Sequence, residues 1–323
     1  MAWLKGLLLT AIVFAAGMAI YFYHQFNLPN NRREETMIMI DKGAGSRQVA
    51  KKLTEAGVIS HPLLFRLSAR LSGLDKHLKA GEYVFLPGIS MREVLDVISR
   101  GEVHYRQVTL PEGLTTAQML RLIAAEPALE GEVTVEIAEG ELLPETYSYV
   151  RGDSRDSIVR RARAAMQRVL EDAWAQKSRP EMIKDRYQLL ILASIVEKET
   201  GLTSERADVA AVFVNRLRRG MKLQTDPTVI YALTEGKTEL GRPLYKKDLA
   251  IDSPYNTYKY YGLPPGPICN PGREAIWAVV NPSDADYLYF VASGKGGHRF
   301  SRSLDEHNRN VGLYKKALSG TRG

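Results

Sequence analysis

Two glutamates, Glu197 and Glu199, close a dense apolar segment, Tyr187 to Thr200 (YQLLILASIVEKET), just before Gly201. At helical spacing Leu192, Ile195, Val196 and Glu199 stand at i, i+3, i+4 and i+7, so Glu199 continues the most apolar stripe. Glu197 follows Leu190, Ala193 and Ser194, a smaller and more polar row. A carboxyl at the end of a buried stripe, in the last turn of a helix, feels two effects that raise its pKa: desolvation and the negative end of the helix dipole. A carboxylic acid held protonated near neutral pH is what general acid catalysis requires. The same spacing fits a partly buried glutamate paired with Lys or Arg, and the residues alone leave both readings open.

Downstream, Ser204 to Arg219 reads as a second helix closed by Gly220. Loops rich in amide and aromatic residues follow: Leu223 to Thr228, Ser253 to Tyr258, and Gly262 to Pro267. Tyr255, Tyr258, Tyr260 and Tyr261 offer flat faces, while Gln224, Asn256 and the hydroxyls offer hydrogen bonds. That mixture suits sugar rings, apolar on their faces and hydroxylated at their rims, although tyrosine-rich loops also pack ordinary cores. Asp226, just before Pro227, fits a turn or helix cap as readily as a binding role.

Other chemistries find little support. The six histidines (24, 61, 77, 104, 298 and 307) are scattered, without an H-E-x-x-H pair. Gly294 to His298 (GKGGH) lacks the phosphate-loop pattern and reads as a turn between strands at 287–292 and 298–301. No G-x-S-x-G elbow is present, and Cys269, the single cysteine, lies in a Pro-rich turn and excludes an intramolecular disulfide framework. Neither a metal nor a cofactor is expected.

The elements that must position these residues begin far upstream. Thr36 to Ile40 is β-prone, Gly43 and Gly45 make a turn, and Ser46 is placed to cap a helix carrying Val49, Ala50 and Leu53 and ending at Gly57. Ser60 and Pro62 start another helix, to about Gly73, and Glu82 to Phe85 reads as a strand. Ser90 and Glu93 form a capping box ahead of Val94, Leu95 and Ile98. The set Ile40, Gly43, Ser46, Gln48, Val49, Ala50, Leu53 recurs seventy residues later as Leu110, Gly113, Thr116, Gln118, Met119, Leu120, Ile123. These strand, Gly-turn, capped-helix units resemble LysM-like carbohydrate-binding modules; generic βα units fit the pattern equally. Arg155 to Gln176 is a long helix with a basic face (Arg155, Arg160, Arg161, Arg163, Arg168), either solvated or turned to an anionic partner.

The chain of 323 residues is 45% hydrophobic and 25% charged, the composition of a folded protein, with 44 Lys and Arg against 37 Asp and Glu, a net +7. Gly6 to Tyr23 is an uncharged, mostly apolar run of 18 residues, about 27 Å of helix, enough to cross a bilayer's hydrocarbon core. A cleaved signal peptide is the rival reading, with Gly17-Met18-Ala19 as its cleavage signal. The apolar run continues past that point into Ile20, Tyr21, Phe22 and Tyr23, which favours an uncleaved anchor with an interfacial tyrosine belt. Lys5 opposes Arg32 and Arg33, and the short N-terminal tail favours an N-inside orientation. That would put the basic domain outside the cytoplasm, away from nucleic acid.

Four segments carry a specific resemblance: ASIVEKET at 193–200, SERADVAAVFVNRLRRGMKLQTDPTVIYAL at 204–233, YNTYKYYGLPPGPI at 255–268 and YLYFVASGKGGHRFS at 287–301. In this order they resemble the successive motifs of the endolytic murein transglycosylases, the YceG-like family. Leu143 to Tyr147 (LPETY) is similar to a further motif but departs from it at Leu143. The resemblance covers essentially the whole chain. It implies an α+β fold with a tail and transmembrane anchor at 1–25, a linker at 26–35, a LysM-like module at 36–105, a connecting βα unit and long helix at 106–184, and a catalytic domain at 185–323. It further implies a lyase of the inner membrane that cleaves the MurNAc–GlcNAc bond within peptidoglycan glycan strands, leaving 1,6-anhydroMurNAc ends. Membrane peptidoglycan synthases are its implied neighbours. The family's catalytic glutamate falls on Glu199, the residue the stripe also singles out. Gln224, Thr225, Asp226, Asn256 and Tyr258 lie in the motifs as substrate-positioning candidates. A lysozyme-like hydrolase of the same bond and a non-catalytic murein-binding scaffold are the alternatives.

Overall fold

An apolar run can leave water only with its backbone hydrogen bonds closed internally, and the N-terminal run forms one helix, α1 (Ala2–Asn27), whose stretch Lys5–Asn27 is long and apolar enough to span a bilayer and, up to its last turn, is exposed. The computed structural model describes residues 2–320. They divide into two units, one reaching to Arg106 and including Tyr149–Gly152, the other formed by Gln107–Ser148 and the chain from Asp153 onward.

In the first unit α1 is followed by β1 (Thr36–Ile40), α2 (Ser46–Glu55), α3 (Pro62–Leu71), β2 (Gly81–Phe85) and α4 (Met91–Arg100). The strands β1 and β2 pair antiparallel, Thr36 opposite Phe85 and Ile40 opposite Gly81. Their inward side chains join Val49, Leu53, Phe65, Val94 and Ile98 in one apolar core. The Ser90–Glu93 capping box forms as its spacing predicts, with Glu93 Oε2 accepting from the Ser90 amide at 2.8 Å. At α2 the cap moves one residue back to Gly45, whose N–H donates to Gln48 Oε1 at 3.2 Å. Glu82 is buried, held by Arg106 at 2.9 Å and Arg151 at 3.0 Å.

The segment read as a polar linker is fastened. Asn30 Oδ1 accepts from the Gly88 and Arg32 amides, Asn30 Nδ2 donates to the Val58 carbonyl, and Phe26 packs on the unit's core. Arg32 Nη1 likewise donates to the Ala56 carbonyl, so polarity there does not mean slack chain.

The second unit contains β3 (Arg106–Thr109) and β4 (Thr146–Tyr149), apart from their end residues Arg106 and Tyr149, together with α5 (Thr116–Ala125), α6 (Arg155–Trp174), α7 (Arg186–Glu199), α8 (Arg206–Arg218), α9 (Asp226–Thr234), α10 (Arg273–Val280), β5 (Tyr289–Ala292), β6 (His298–Ser301) and α11 (Leu304–Gly320). The seventy-residue repeat holds locally: β3 and α5 start seventy residues after β1 and α2, and Gly43 and Gly113 both turn with positive φ, 80° and 73°. β3 pairs with β4, and β5 and β6 form the expected antiparallel hairpin. Among the described residues the sheets are all two-stranded, and helices carry the core: Met166 and Val169 of α6, Leu192 and Val196 of α7, Phe213 of α8 and Val279 of α10 belong to one cluster.

Most of the segment at 106–184, expected to connect, belongs to this unit, Arg106 and Tyr149–Gly152 excepted. Asn270 is the reason: fully buried, its Oδ1 accepts from the Leu142 amide at 2.8 Å and its Nδ2 donates to Leu114 O and Thr116 Oγ1 at 3.1 Å. Leu143, the departure from the motif, is also fully buried in the shared core. On α6 the arginine row is partly structural, since Arg155 donates to the carbonyls of Ala124, Glu126 and Gly131, and Arg163 pairs with Glu141.

Candidate active site

Helix α7 is capped by Asp185, whose side chain accepts from the Gln188 amide at 2.7 Å, and ends at Glu199. It is buried all round, not along one stripe: every residue from Leu189 to Glu197 is out of solvent. Stripe geometry therefore does not separate the two glutamates by burial, and Glu197 is the more enclosed of the two. Partners separate them. Glu197 Oε2 accepts from the Gly272 amide at 2.8 Å, and its Oε1 lies 3.3 Å from Arg206 Nη2. Glu199 reaches past the helix end to a cleft, half-buried, with no basic side chain in hydrogen-bond reach among the described residues. The Thr225 hydroxyl donates to its Oε1.

Desolvation raises the Glu199 pKa, and the negative charge of Asp226 adds to the rise; the Thr225 hydrogen bond and the positive charge of Arg216 oppose it. Burial also pushes Glu197 up, against the Gly272 hydrogen bond and Arg206. Both carboxyls are thus shifted upward. One is fixed by backbone and guanidinium; the other is lightly held at an open cleft.

That cleft encloses about 230 Å³. Phe213 and Arg216 of α8, one turn apart, form one wall; Leu223, Gln224 and Asp226 form another, with Tyr258 and Phe290 completing it. Gln224 is held at φ +49°, a left-handed conformation uncommon outside glycine, by its amide bond to Thr257 O at 3.2 Å. Thr225 follows, its amide donating to Thr257 Oγ1 at 3.1 Å, so the 223–226 and 256–258 segments are stitched edge to edge. Tyr258 donates to Asp226 Oδ1 at 2.6 Å, and its own pKa is raised, first by burial and then by that hydrogen bond.

Of the six residues singled out by sequence, the fold gathers Glu199, Gln224, Thr225, Asp226 and Tyr258 around this cleft. Asp226 is the first residue of α9 but not its cap, which is Thr225; its carboxylate lines the cleft and accepts from Tyr258. Asn256 is different. It is fully buried, its Nδ2 donating to Leu249 O and Ile251 O and its Oδ1 accepting from the Tyr258 amide, which makes it the organiser of the loop that presents Tyr258. Among the other tyrosines, Tyr255 packs against Tyr231, while Tyr260 and Tyr261 are exposed.

Arg216 is what the sequence reading missed. Buried, it donates from Nε to Leu288 O at 2.7 Å and from Nη1 to Leu223 O at 2.6 Å, tying α8 to both loops. A second unforeseen pair is His298 and Glu205, with Nδ1 and Oε2 2.7 Å apart, against the edge of the Phe290 ring. Among the described residues no cluster of His, Cys, Asp and Glu is arranged to hold a metal ion.

Comparison with known proteins gives matches that extend over most of the chain. The model of the YceG-like family matches residues 38–312. The endolytic murein transglycosylase of Bacillus subtilis (strain 168) is 33% identical over 306 residues, covering 84% of this chain and 82% of its own. That of Streptococcus pneumoniae (serotype 2, strain D39) is 29% identical, with 95% of this chain aligned but only 65% of the longer relative. The solved structure of a protein described as yceG-like, from Listeria monocytogenes, superposes with a TM-score of 0.56 at 29% identity, covering 86% of this chain and 99% of that one. A family match across most of the chain, with the cleft residues lying inside it, leaves one assignment: this protein belongs to the YceG-like family.

Proposed function

We propose that the chain is a membrane-anchored endolytic murein transglycosylase, with Glu199 as its acid and base. The observation that carries this reading is the contrast between the two glutamates: Glu197 is spent on Gly272 and Arg206, while Glu199 stands at the cleft with a raised pKa. Because the Thr225 hydroxyl donates to Oε1, the proton of the neutral acid belongs on Oε2, ready for transfer. Glu199 protonates the oxygen between MurNAc and GlcNAc as the bond to C1 breaks. The resulting carboxylate takes the proton of the MurNAc C6 hydroxyl, whose oxygen closes on C1. The substrate supplies its own nucleophile, so one carboxyl completes the cycle.

A second reading has its own observation. Asp226 lines the same cleft, and a second carboxylate is what ordinary glycoside hydrolysis requires. The Tyr258 hydrogen bond engages Asp226 Oδ1, which supports a positioning role instead. Product mass from purified murein decides, since anhydro ends are one water lighter than hydrolytic ends. Wild type should give anhydro ends and Glu199→Gln almost none; a scaffold would give neither product from either protein.

The surrounding expectations belong to the same proposal. Two antiparallel strands backed by helices, with the strand, Gly-turn, helix pattern, support a LysM-like glycan-binding module at 36–105 that orients the strand. The apolar α1 supports an anchor; with its N-terminus inside, the orientation the short N-terminal tail favours, the cleft would lie on the side where membrane peptidoglycan synthases release nascent strands. Deleting 36–105 should lower activity on long strands more than on short oligosaccharides, and equal losses would remove the module from the proposal.

A further inference from the structure

Helix α3 buries one face and leaves another bare. Leu64, Phe65 and Ala69 enter the core of the first unit, while Leu63, Leu67 and Leu71, each four residues apart, are 74%, 49% and 80% exposed. Three leucines in a row on the outside of a ten-residue helix form a continuous apolar stripe, unlike the scattered exposed leucines that any surface carries. Of the two arginines beside the stripe, Arg70 is exposed and Arg66 half-buried.

Its location in the unit gives the stripe a partner. Tyr21 and Phe22, in the last turns of α1, line one groove of about 350 Å³ together with Leu63, Leu64 and Leu67. The stripe is therefore continuous with the interfacial end of the apolar helix. Around the exit of α1, Leu28 and Leu86 are exposed as well, at 41% and 62%. The connection is short and pinned, because Asn30 ties the chain three residues beyond α1 to Gly88 and Val58. The first unit is thus held close to wherever α1 leaves the bilayer, with an amphipathic helix at that end.

We propose that α3 lies in the headgroup–acyl boundary of the leaflet from which α1 emerges, with Leu63, Leu67 and Leu71 inserted among acyl chains and Arg66 and Arg70 among anionic headgroups. This pattern of apolar face and basic flank is that of an interfacial helix. The consequence is functional: α3 turns the anchor from a tether into a fixed mount for the first unit. The inference rests on α1 being the membrane anchor.

The test uses the full chain in vesicles of phosphatidylethanolamine and phosphatidylglycerol, with one environment-sensitive fluorophore per variant. Cys269 is buried, so thiol labelling selects an introduced cysteine. Probes at Phe14→Cys, Leu67→Cys and Lys51→Cys report α1, the stripe and the exposed charged face of α2. Expected are blue-shifted emission and quenching by spin-labelled lipid at 14 and 67, with 67 shallower, and neither at 51. Leu71→Glu should return the probe at 67 toward water while leaving 14 unchanged, and neutral phosphatidylcholine vesicles should weaken quenching at 67. A lipid-quenched 14 with a water-exposed 67 overturns the docking but keeps the anchor, and would free the stripe for a protein partner. Water exposure at both positions overturns the anchor and the docking together.

Discussion

Arg206 brings Nη2 to 3.3 Å from Glu197 Oε1 and, on the same nitrogen, to 3.0 Å from Glu112 Oε2. This shared donor joins the turn after β3 to the end of α7, and Lys198 adds a bond to Gly113 O at 3.2 Å. The second copy of the βα repeat thereby braces the helix that carries Glu199, with Glu197 as the brace and Glu199 left to the cleft.

Glu199→Gln should lower the rate of anhydro-end formation by about 10²–10⁴, the usual worth of an acid–base group. Circular dichroism should show the fold intact. A variant retaining more than a tenth of wild-type activity would remove Glu199 from the mechanism.

The same substitution carries a stability signature. The folded-state pKa of Glu199 is raised, so the folded protein pays no penalty at low pH and loses stability as pH rises through the unfolded-state value toward the folded one. Glu199→Gln, neutral throughout, should therefore match wild type in thermal midpoint near pH 4 and exceed it at pH 8. Identical midpoints at both pH values would mean that the carboxyl is not desolvated.

Thr225→Val removes the hydroxyl that donates to Glu199 and holds its pKa down. Where the protonated acid is required, activity falls as pH rises through its pKa. The alkaline limb of the pH–rate profile should move to higher pH in Thr225→Val, with a lower maximum rate from lost orientation. A shift to lower pH would contradict the assigned direction of this bond.

Glu197→Gln keeps an acceptor for the Gly272 amide but leaves a buried guanidinium with Glu112 as its remaining ion-pair partner. We expect destabilisation of about 1–3 kcal/mol in denaturant titrations and product formation within a few-fold of wild type. If Glu197→Gln were inactive but stable and Glu199→Gln active, the roles would be reversed.

Asn256→Ala strips two carbonyls and one amide of their partner and should cost about 3 kcal/mol, read as a lower unfolding midpoint. Gln224→Gly, by contrast, relieves a left-handed backbone and should change stability by less than about 1 kcal/mol while raising KM, because its side chain lines the cleft. Equal stability losses in the two variants would show that the Gln224 side chain, like Asn256, supports the loop.

The sequence by itself determined the local elements and the family. Hydrophobic period, glycine stops and capping residues depend on neighbours within a few positions, which is why α7, the β5–β6 hairpin and both copies of the repeat lie where their residues put them. The motifs also named Glu199 and most of the cleft. Tertiary structure decided what those residues face. One amphipathic stripe could not rank Glu197 against Glu199, because α7 is packed on every side and the difference came from Gly272 and Arg206, distant in sequence. Asn256 reads as a sugar-binding amide until its bonds to Leu249, Ile251 and Tyr258 are seen to consume it. Arg216 looks like one more basic residue on a helix until burial and two loop carbonyls make it the clamp of the cleft. Periodicity records which side of an element is apolar; only the assembled chain fixes which polar groups meet there, because burial makes each of them find a partner.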